Sequence, residues 1–179
     1  SRVMEDALRR ANIPYQIARG VEFYNRKEIK DVLAYLRVIA NPADAVNLNR
    51  IVNVPPRGLG ATTIKQLEAW GISEGIGLWE AFTRSADVPG LSKRAIISAR
   101  QFVELVQSWQ QMAVHPPIGS KGRIQGLMED VVRRSGLEAM LKKIGDKEFA
   151  ELANVNELIN SAAEFDNENP DGSLVDYLA

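Results

Sequence analysis

The chain has 179 residues, of which 45% are hydrophobic and 25% are charged, and it contains no cysteine. This length suits one globular domain with its own core. The lack of cysteine excludes disulfides and thiolate metal sites and fits a reducing cytoplasm. Apolar runs are too short for a membrane span, so no membrane partner is expected.

The net charge of −1 conceals an asymmetry along the chain. Residues 1–100 carry 15 Lys and Arg against 10 Asp and Glu, a charge of +5, whereas residues 101–179 carry 7 against 13, a charge of −6. The basic first half favours a polyanionic partner on that half. The alternative is a chance asymmetry of solvated surfaces.

The first 26 residues differ in pattern from the rest of the chain. Residues 1–12 have helical periodicity, Pro14 would stop that helix, and residues 15–18 are a short strand candidate ended by Gly20. A helix followed by a strand is typical of the edge of an α/β domain. The sequence begins without Met and without a signal-peptide apolar region, so we expect a piece of a longer protein.

From Arg26 onward the chain shows helical periodicity throughout. Apolar residues such as Ile29, Val32 and Leu36 recur on one face, and Asn41-Pro42 would end that helix. The fold class is predicted to be all-α: an irregular multi-helix domain with a helix-hairpin-helix-like element, preceded by the short helix–strand fragment. The pattern predicts helices over about 26–40, 44–53, 61–70, 78–82, 92–113, 124–135, 138–143 and 148–163, and a final turn after Ser173.

Three polar residues precede these helices where N-caps are expected. Asp44, Ser92 and Ser173 have side-chain oxygens that accept hydrogen bonds from the first helical N–H groups. Val46 is expected to be buried in the helix after Asp44, and Ile96 in the helix after Ser92. The segment from Glu164 to Asp171 is predicted to be an acidic, solvated loop because it lacks the periodicity of a calcium loop.

The stretch from Asn53 to Leu67, NVPPRGLGATTIKQL, places a Pro- and Gly-rich hairpin between two predicted helices. Gly58 and Gly60 are expected to adopt positive φ and to let the backbone approach a phosphate, while Leu59 anchors the turn in the core. The helix that follows would direct its free N–H groups at that phosphate.

Side chains around this hairpin suit the same role. Thr62 and Thr63 supply hydroxyl donors, and Arg57 and Lys65 supply positive charge. Such a device binds the phosphate backbone and does not distinguish bases. The hairpin therefore predicts a DNA-binding site. The alternative is a tight turn between two helices that uses the same glycines for geometry alone.

A second stretch, GVEFYNRKEIKD, combines aromatic and basic residues. The cations Arg26, Lys27 and Lys30 lie at the start of a helix, directly after Phe23 and Tyr24, which is a combination suited to a nucleic-acid surface. The alternative is that both rings pack at a domain junction and the charges are solvated. We favour packing for Phe23 and leave both interpretations open for the basic residues.

Signatures of catalysis are missing from the sequence. His115, the sole histidine, lies beside two prolines in a connector and is predicted to be a surface residue. No GxxxxGK[ST] loop is present, so this chain is not expected to hydrolyse ATP.

Two stretches together resemble the UvrD/PcrA/Rep family of superfamily 1 DNA helicases. They are SRVMEDALRRANIPYQI and GVEFYNRKEIKDVLAYLRVIANPADAVNLNRIVNVPPRGLG, which cover about the first third of the chain. Family members usually carry Gly-Ile-Gly where this chain has Gly58-Leu59-Gly60, and two glycines where it has Arg19-Gly20. The rest of the chain agrees in helical pattern and length.

The resemblance implies a placement within a larger enzyme. Residues 1–26 would be a fragment of the RecA-like motor domain 2A, and residues 27–179 would be the α-helical insertion domain 2B. The hairpin would touch duplex DNA at an unwinding junction and regulate unwinding. ATP and Mg²⁺ would bind the motor domains of the parent protein, a cytoplasmic 3′-to-5′ helicase, and no cofactor would bind this fragment. Repair or replication proteins are further possible partners.

Two other function classes stay open. One is a stand-alone helix-hairpin-helix module from a nuclease, ligase or polymerase, whose enzyme versions would need a further catalytic motif. The other is a helical protein-interaction domain without DNA contact, against which the charge asymmetry argues only weakly.

Overall fold

The computed structural model describes residues 20–143 and 148–179, and these form an all-α domain, as predicted. The predicted helix over 1–12 and strand over 15–18 lie outside the described residues. The helices are α1 (Val21–Tyr24), α2 (Lys27–Ala40), α3 (Ala45–Ile51), α4 (Ala61–Glu74), α5 (Leu78–Thr83), α6 (Lys93–Val114), α7 (Arg123–Arg134), α8 (Leu137–Leu141), α9 (Glu148–Glu168) and α10 (Leu174–Leu178), with a 3₁₀ turn at Ser85–Asp87.

Helix α2 lies at the centre of the domain, in contact with α1, α3, α6, α7, α9 and α10. Its apolar stripe is buried, and Tyr35 packs edge-on against Trp109 of α6 with ring centroids 5.7 Å apart. The indole N–H of Trp109 donates to Asp130 Oδ2 at 2.9 Å, so its one polar atom is satisfied. This aromatic pair joins the N-terminal helices to the long helix α6.

The predicted N-caps at Asp44, Ser92 and Ser173 are confirmed. They could be predicted because a cap depends on residues only a few positions apart. Asp44 Oδ1 accepts from the Asn47 N–H at 3.1 Å, and Ser92 Oγ accepts from the Ala95 N–H at 3.1 Å. Ser173 forms a reciprocal capping box with Asp176 at the start of α10.

Two side chains predicted to be buried are more exposed than expected. Val46 is 81% exposed, because α3 faces the core with Leu48 and Ile51. In α6, Ala95 and Ala99 take the innermost positions of the first turns, and Ile96 is only half-buried. Helix periodicity identifies a stripe, but the neighbouring helices determine where its centre lies.

The acidic segment predicted as a loop is largely helical, because α9 continues to Glu168. The Asp166 carboxylate reaches the start of α7 and accepts from the N–H groups of Ile124 at 3.0 Å and Gln125 at 2.9 Å. These N–H groups have no partner within their own helix. Asp166 therefore caps a helix that begins 43 residues earlier in the chain, and the expectation of a merely solvated loop is wrong at this residue.

Candidate nucleic-acid interface

The hairpin between α3 and α4 is anchored in the core at Leu59 and faces open space at Gly60. Leu59 is 0% exposed and belongs to the core, which confirms its predicted anchoring role. Asn53 Oδ1 accepts from the N–H groups of Arg57 at 2.9 Å and Leu59 at 3.3 Å, so one side chain holds the loop together. A full core position for Leu59 also means that its side chain is not a surface contact.

The two glycines of the hairpin have different roles. Gly58 has a φ of +79°, as predicted, and a Cβ added there would lie 3.1 Å from Ser98 Oγ of α6. Gly60 has φ −72° and ψ 175°, an extended conformation open to any residue, so the prediction of a positive φ at Gly60 is wrong. The reason is that Gly60 is the N-cap of α4, a position that requires extended backbone.

Gly60 nonetheless leaves open space where a side chain would project, since a Cβ built there meets nothing within 4 Å. Gly60 provides no side-chain cap for α4, and no acidic residue lies in the first turn of that helix. The first N–H groups of α4, at Ala61 to Thr63, therefore have no side-chain acceptor from the described residues. Thr62 and Lys65 are exposed, and Thr63 is half-buried.

The Arg57 side chain, expected to contact phosphate, turns into the protein and has internal hydrogen-bond partners. Its Nη1 donates to the carbonyls of Ile51 at 2.7 Å and Val52 at 2.9 Å. Its Nη2 donates to the hydroxyl of Tyr35 and to the Ser135 carbonyl, the latter at 3.3 Å. These donors are committed to internal acceptors, so the guanidinium supports the hairpin from within.

Arg57 is further held by two aromatic rings. Its Cζ lies 5.1 Å from the ring centroid of Phe102 and 5.8 Å from that of Tyr35. Burial raises the pKa of the Tyr35 hydroxyl, against the opposing charge of Arg57. Tyr35 stays protonated at neutral pH and donates to the Val54 carbonyl. The hairpin is thus attached to α2 and α6 through one arginine.

Arg26, Lys27 and Lys30 form a second exposed group at the start of α2. Lys30 and Arg37 face a shallow groove between α2 and α3, with Tyr24 at its edge. Phe23 is half-buried against the core and meets the Tyr24 ring edge-on at 5.3 Å, so Phe23 packs as favoured, while the domain junction stays a prediction.

Arg50 of α3 also lines this groove, and its charge is balanced locally. Its Nε donates to Asp31 Oδ1 at 2.9 Å, and its Nη2 to the Lys27 carbonyl at 3.5 Å. Burial raises the pKa of the Asp31 carboxyl, and the neighbouring Arg50 guanidinium offsets part of that rise. This ion pair joins α2 to α3.

The structure thus distributes the ten predicted DNA-binding residues over two surfaces. Lys30 and Tyr35 are five residues apart on α2, about 140° around the helix, so the groove and the hairpin attachment use different faces of α2. Sequence reasoning missed Asn53, Ser98 and Ser135 as hairpin supports. Asn53 directly before Val-Pro-Pro was a detectable turn signal, whereas Ser98 and Ser135 carry no local signature.

The described residues show neither a metal site nor a membrane helix. Among them, no group of three or more His, Asp or Glu side chains could hold a metal ion. Within the same ranges, no helix is long and apolar enough to cross a membrane. His115 is exposed at the end of α6, as predicted.

An all-α domain with a glycine hairpin presented beside a basic helix start is compatible with a nucleic-acid-binding part of a larger protein. The family model described as "UvrD-like helicase C-terminal domain" matches residues 1–90, half of the chain. This chain therefore belongs to the UvrD-like helicase C-terminal domain family.

Named relatives agree with this assignment. The chain is 32% identical to the ATP-dependent DNA helicase PcrA of Staphylococcus aureus (strain Mu50 / ATCC 700699) over 185 residues. It is 33% identical to the ATP-dependent DNA helicase PcrA of Staphylococcus epidermidis (strain ATCC 12228 / FDA PCI 1200) over 181 residues. Each match includes 99% of this chain but 24% of the relative, so the chain spans about a quarter of the relatives' length.

Proposed function

We propose that this chain is the duplex-DNA-binding accessory region of an ATP-dependent 3′-to-5′ DNA helicase. Residues 27–179 would form the 2B insertion, and residues 1–26 would belong to motor domain 2A. The region would bind the phosphate backbone without sequence specificity at an unwinding junction and regulate unwinding. Support comes from the family assignment, from relatives described as ATP-dependent DNA helicases, and from the hairpin.

The observation that carries this proposal is the open N-terminus of α4 behind Gly60. Free N–H groups and the helix dipole attract an anion, and the missing side chain at Gly60 lets a phosphate come close to the backbone. Thr62, Thr63 and Lys65 would contribute further contacts. Gly58, Leu59 and Arg57 would shape and support the loop without touching DNA through their side chains.

The basic group at the start of α2 would add to the attraction for DNA. Arg26, Lys27 and Lys30 are exposed, and Lys30 and Tyr24 line the same groove. Exposed cations of this kind contribute a sequence-independent attraction that weakens as salt rises. Their role would be to orient the duplex on the basic half of the chain.

Catalysis would belong to other parts of the parent protein. This chain has no GxxxxGK[ST] loop, so ATP and Mg²⁺ would bind the motor domains, which are also its expected partners. Repair or replication proteins are further expected partners. The lack of cysteine fits a cytoplasmic location.

The test is duplex binding by the Gly60→Val variant, titrated with salt. Gly77 offers a matched control, because it is the N-cap of α5 with φ −76° and ψ 169° and open space around its Cβ position. We expect Gly60→Val to weaken duplex binding for all sequences and Gly77→Val to leave it unchanged. Circular dichroism should show that both variants retain the helical content of the wild type.

The wild-type affinity should fall by roughly 0.9 log units per log unit of salt for each phosphate neutralised. Duplex should bind more tightly than single strand. If folded Gly60→Val binds duplex as tightly as wild type, the hairpin is only a turn between two helices, and the DNA-binding proposal fails.

A further inference from the structure

Helix α6 contacts the hairpin through Ser98, whose Oγ lies beside the position that a Cβ at Gly58 would take. Arg94 is one helical turn before Ser98 and shares its face, since residues four apart lie 40° apart around a helix. Arg94 is therefore placed at the edge of the hairpin.

A second contact, between Gly90 and Gln66, brings the loop before α6 close to α4. The Cβ position of Gly90, four residues before Arg94, lies 3.9 Å from Nε2 of Gln66 in α4. Gln66 is one turn after Thr62 on the same face of α4. The loop before α6 thus approaches the second turn of α4 at Gln66. From these two contacts we infer that Arg94, between Gly90 and Ser98 in the chain, is on the side of α6 that faces the hairpin.

Arg94 is exposed and has no ion pair or cation–π contact within the described ranges 20–143 and 148–179. Arg57 is engaged by internal carbonyls and Arg50 by Asp31. Arg100 of the same helix has, like Arg94, no ion pair within the described residues, so Arg94 differs from Arg100 by its position next to Ser98. A planar guanidinium with free donors next to an anion-binding helix start is well suited to a phosphodiester oxygen.

We propose that Arg94 binds a second phosphate of the strand whose neighbouring phosphate lies at the start of α4. The hairpin and α6 then form a two-phosphate site, which fixes the direction of the backbone as well as its position. This inference rests on the proposed function and adds a residue of α6 to the DNA-binding surface.

The test compares Arg94→Ala with Arg100→Ala in the 179-residue chain, using a fluorescent duplex of mixed sequence. Arg100 is an exposed arginine of the same helix, two residues past Ser98 and about 160° around the helix from it. Arg94→Ala should weaken binding roughly three- to fivefold, as for one exposed ion pair. It should also lower the salt slope by about 0.9. Arg100→Ala should change neither quantity, and Arg94→Lys should retain the slope.

The outcomes separate this inference from the proposed function. If Gly60→Val weakens binding but Arg94→Ala does not, the hairpin site stands and the role of Arg94 is refuted. Equal effects of Arg94→Ala and Arg100→Ala also refute it, because they report general charge attraction. If neither Gly60→Val nor Arg94→Ala weakens duplex binding, both proposals fail. Thermal unfolding of each variant should match the wild type, since both arginine side chains are exposed.

Discussion

At the scale of single residues, Arg57 shows how a cation in a binding motif serves the fold. Its guanidinium donates to the Ile51 and Val52 carbonyls at the end of α3, where the last carbonyls have no N–H partner within the helix. It also bonds the Ser135 carbonyl after α7, so two distant chain segments meet at one side chain. Positive charge beside a glycine hairpin is thus not by itself a sign of DNA contact.

Replacing Arg57 with Ala should destabilise the protein by roughly 2–4 kcal/mol, because several hydrogen bonds are lost and the Val52 carbonyl is left without a donor. Urea unfolding monitored by tryptophan fluorescence would measure the change. Lys65→Ala is the comparison: Lys65 is exposed, so stability should hold while duplex affinity falls. A stable Arg57→Ala protein with weakened duplex binding would instead return Arg57 to the DNA surface.

At the scale of elements, the helix starts of this domain differ in a way that concerns function. Helices α3, α6 and α10 begin with side-chain caps, whereas α4 and α5 begin with uncapped glycines. Of these two, α5 carries Glu80 in its first turn, and α4 carries no acidic residue there. A capped start is satisfied by its own chain, and an uncapped start beside open space can accept an external anion. An unneutralised start at α4 is the feature on which the proposed DNA contact depends.

The cap of α3 predicts a pH effect on stability. Hydrogen bonds from the side chain and backbone N–H of Asn47 lower the pKa of the Asp44 carboxyl below its unfolded value. The cap therefore stabilises the fold fully above the unfolded pKa and is lost as the pH falls through the lower, folded pKa. In Asp44→Asn the cap remains but does not titrate, so its unfolding free energy should fall less on acidification than that of the wild type. Equal acid sensitivity would contradict this account.

At the scale of the whole molecule, long-range contacts hold the first and last helices to a common core. Glu28 of α2 is nearly buried, and its Oε1 accepts from Asn154 Nδ2 of α9 at 2.8 Å. Asp166 of α9 caps α7, and α10 packs on α2. The described helices therefore form one connected core, and Leu59 anchors the hairpin to it.

A prediction about the whole chain is that it hydrolyses no ATP, with or without duplex DNA. The reason is the missing phosphate-binding loop, since a helicase motor needs that loop to hold the β- and γ-phosphates. Phosphate release by the purified chain would be compared with that of a buffer blank. Turnover that co-purifies with the chain and responds to duplex DNA would overturn the placement of ATP in the parent's other domains.

The sequence by itself determined the helices and most of their starts, because these depend on contacts a few residues apart. Periodicity defined α2, α6 and α7, and short polar side chains defined the caps at Asp44 and Ser92. It also identified the hairpin and the anchor Leu59, since an apolar residue between two glycines has few other uses.

Only the tertiary structure decided which hairpin groups face outward. The acceptors of Arg57 include Tyr35, 22 residues before it, and Ser135, 78 residues after it, and no local pattern encodes such partners. The same holds for Asp166 at the start of α7 and for Ser98 against Gly58. A side chain's direction is set by the sum of its packing and hydrogen-bond partners, and those become neighbours only when the helices come together.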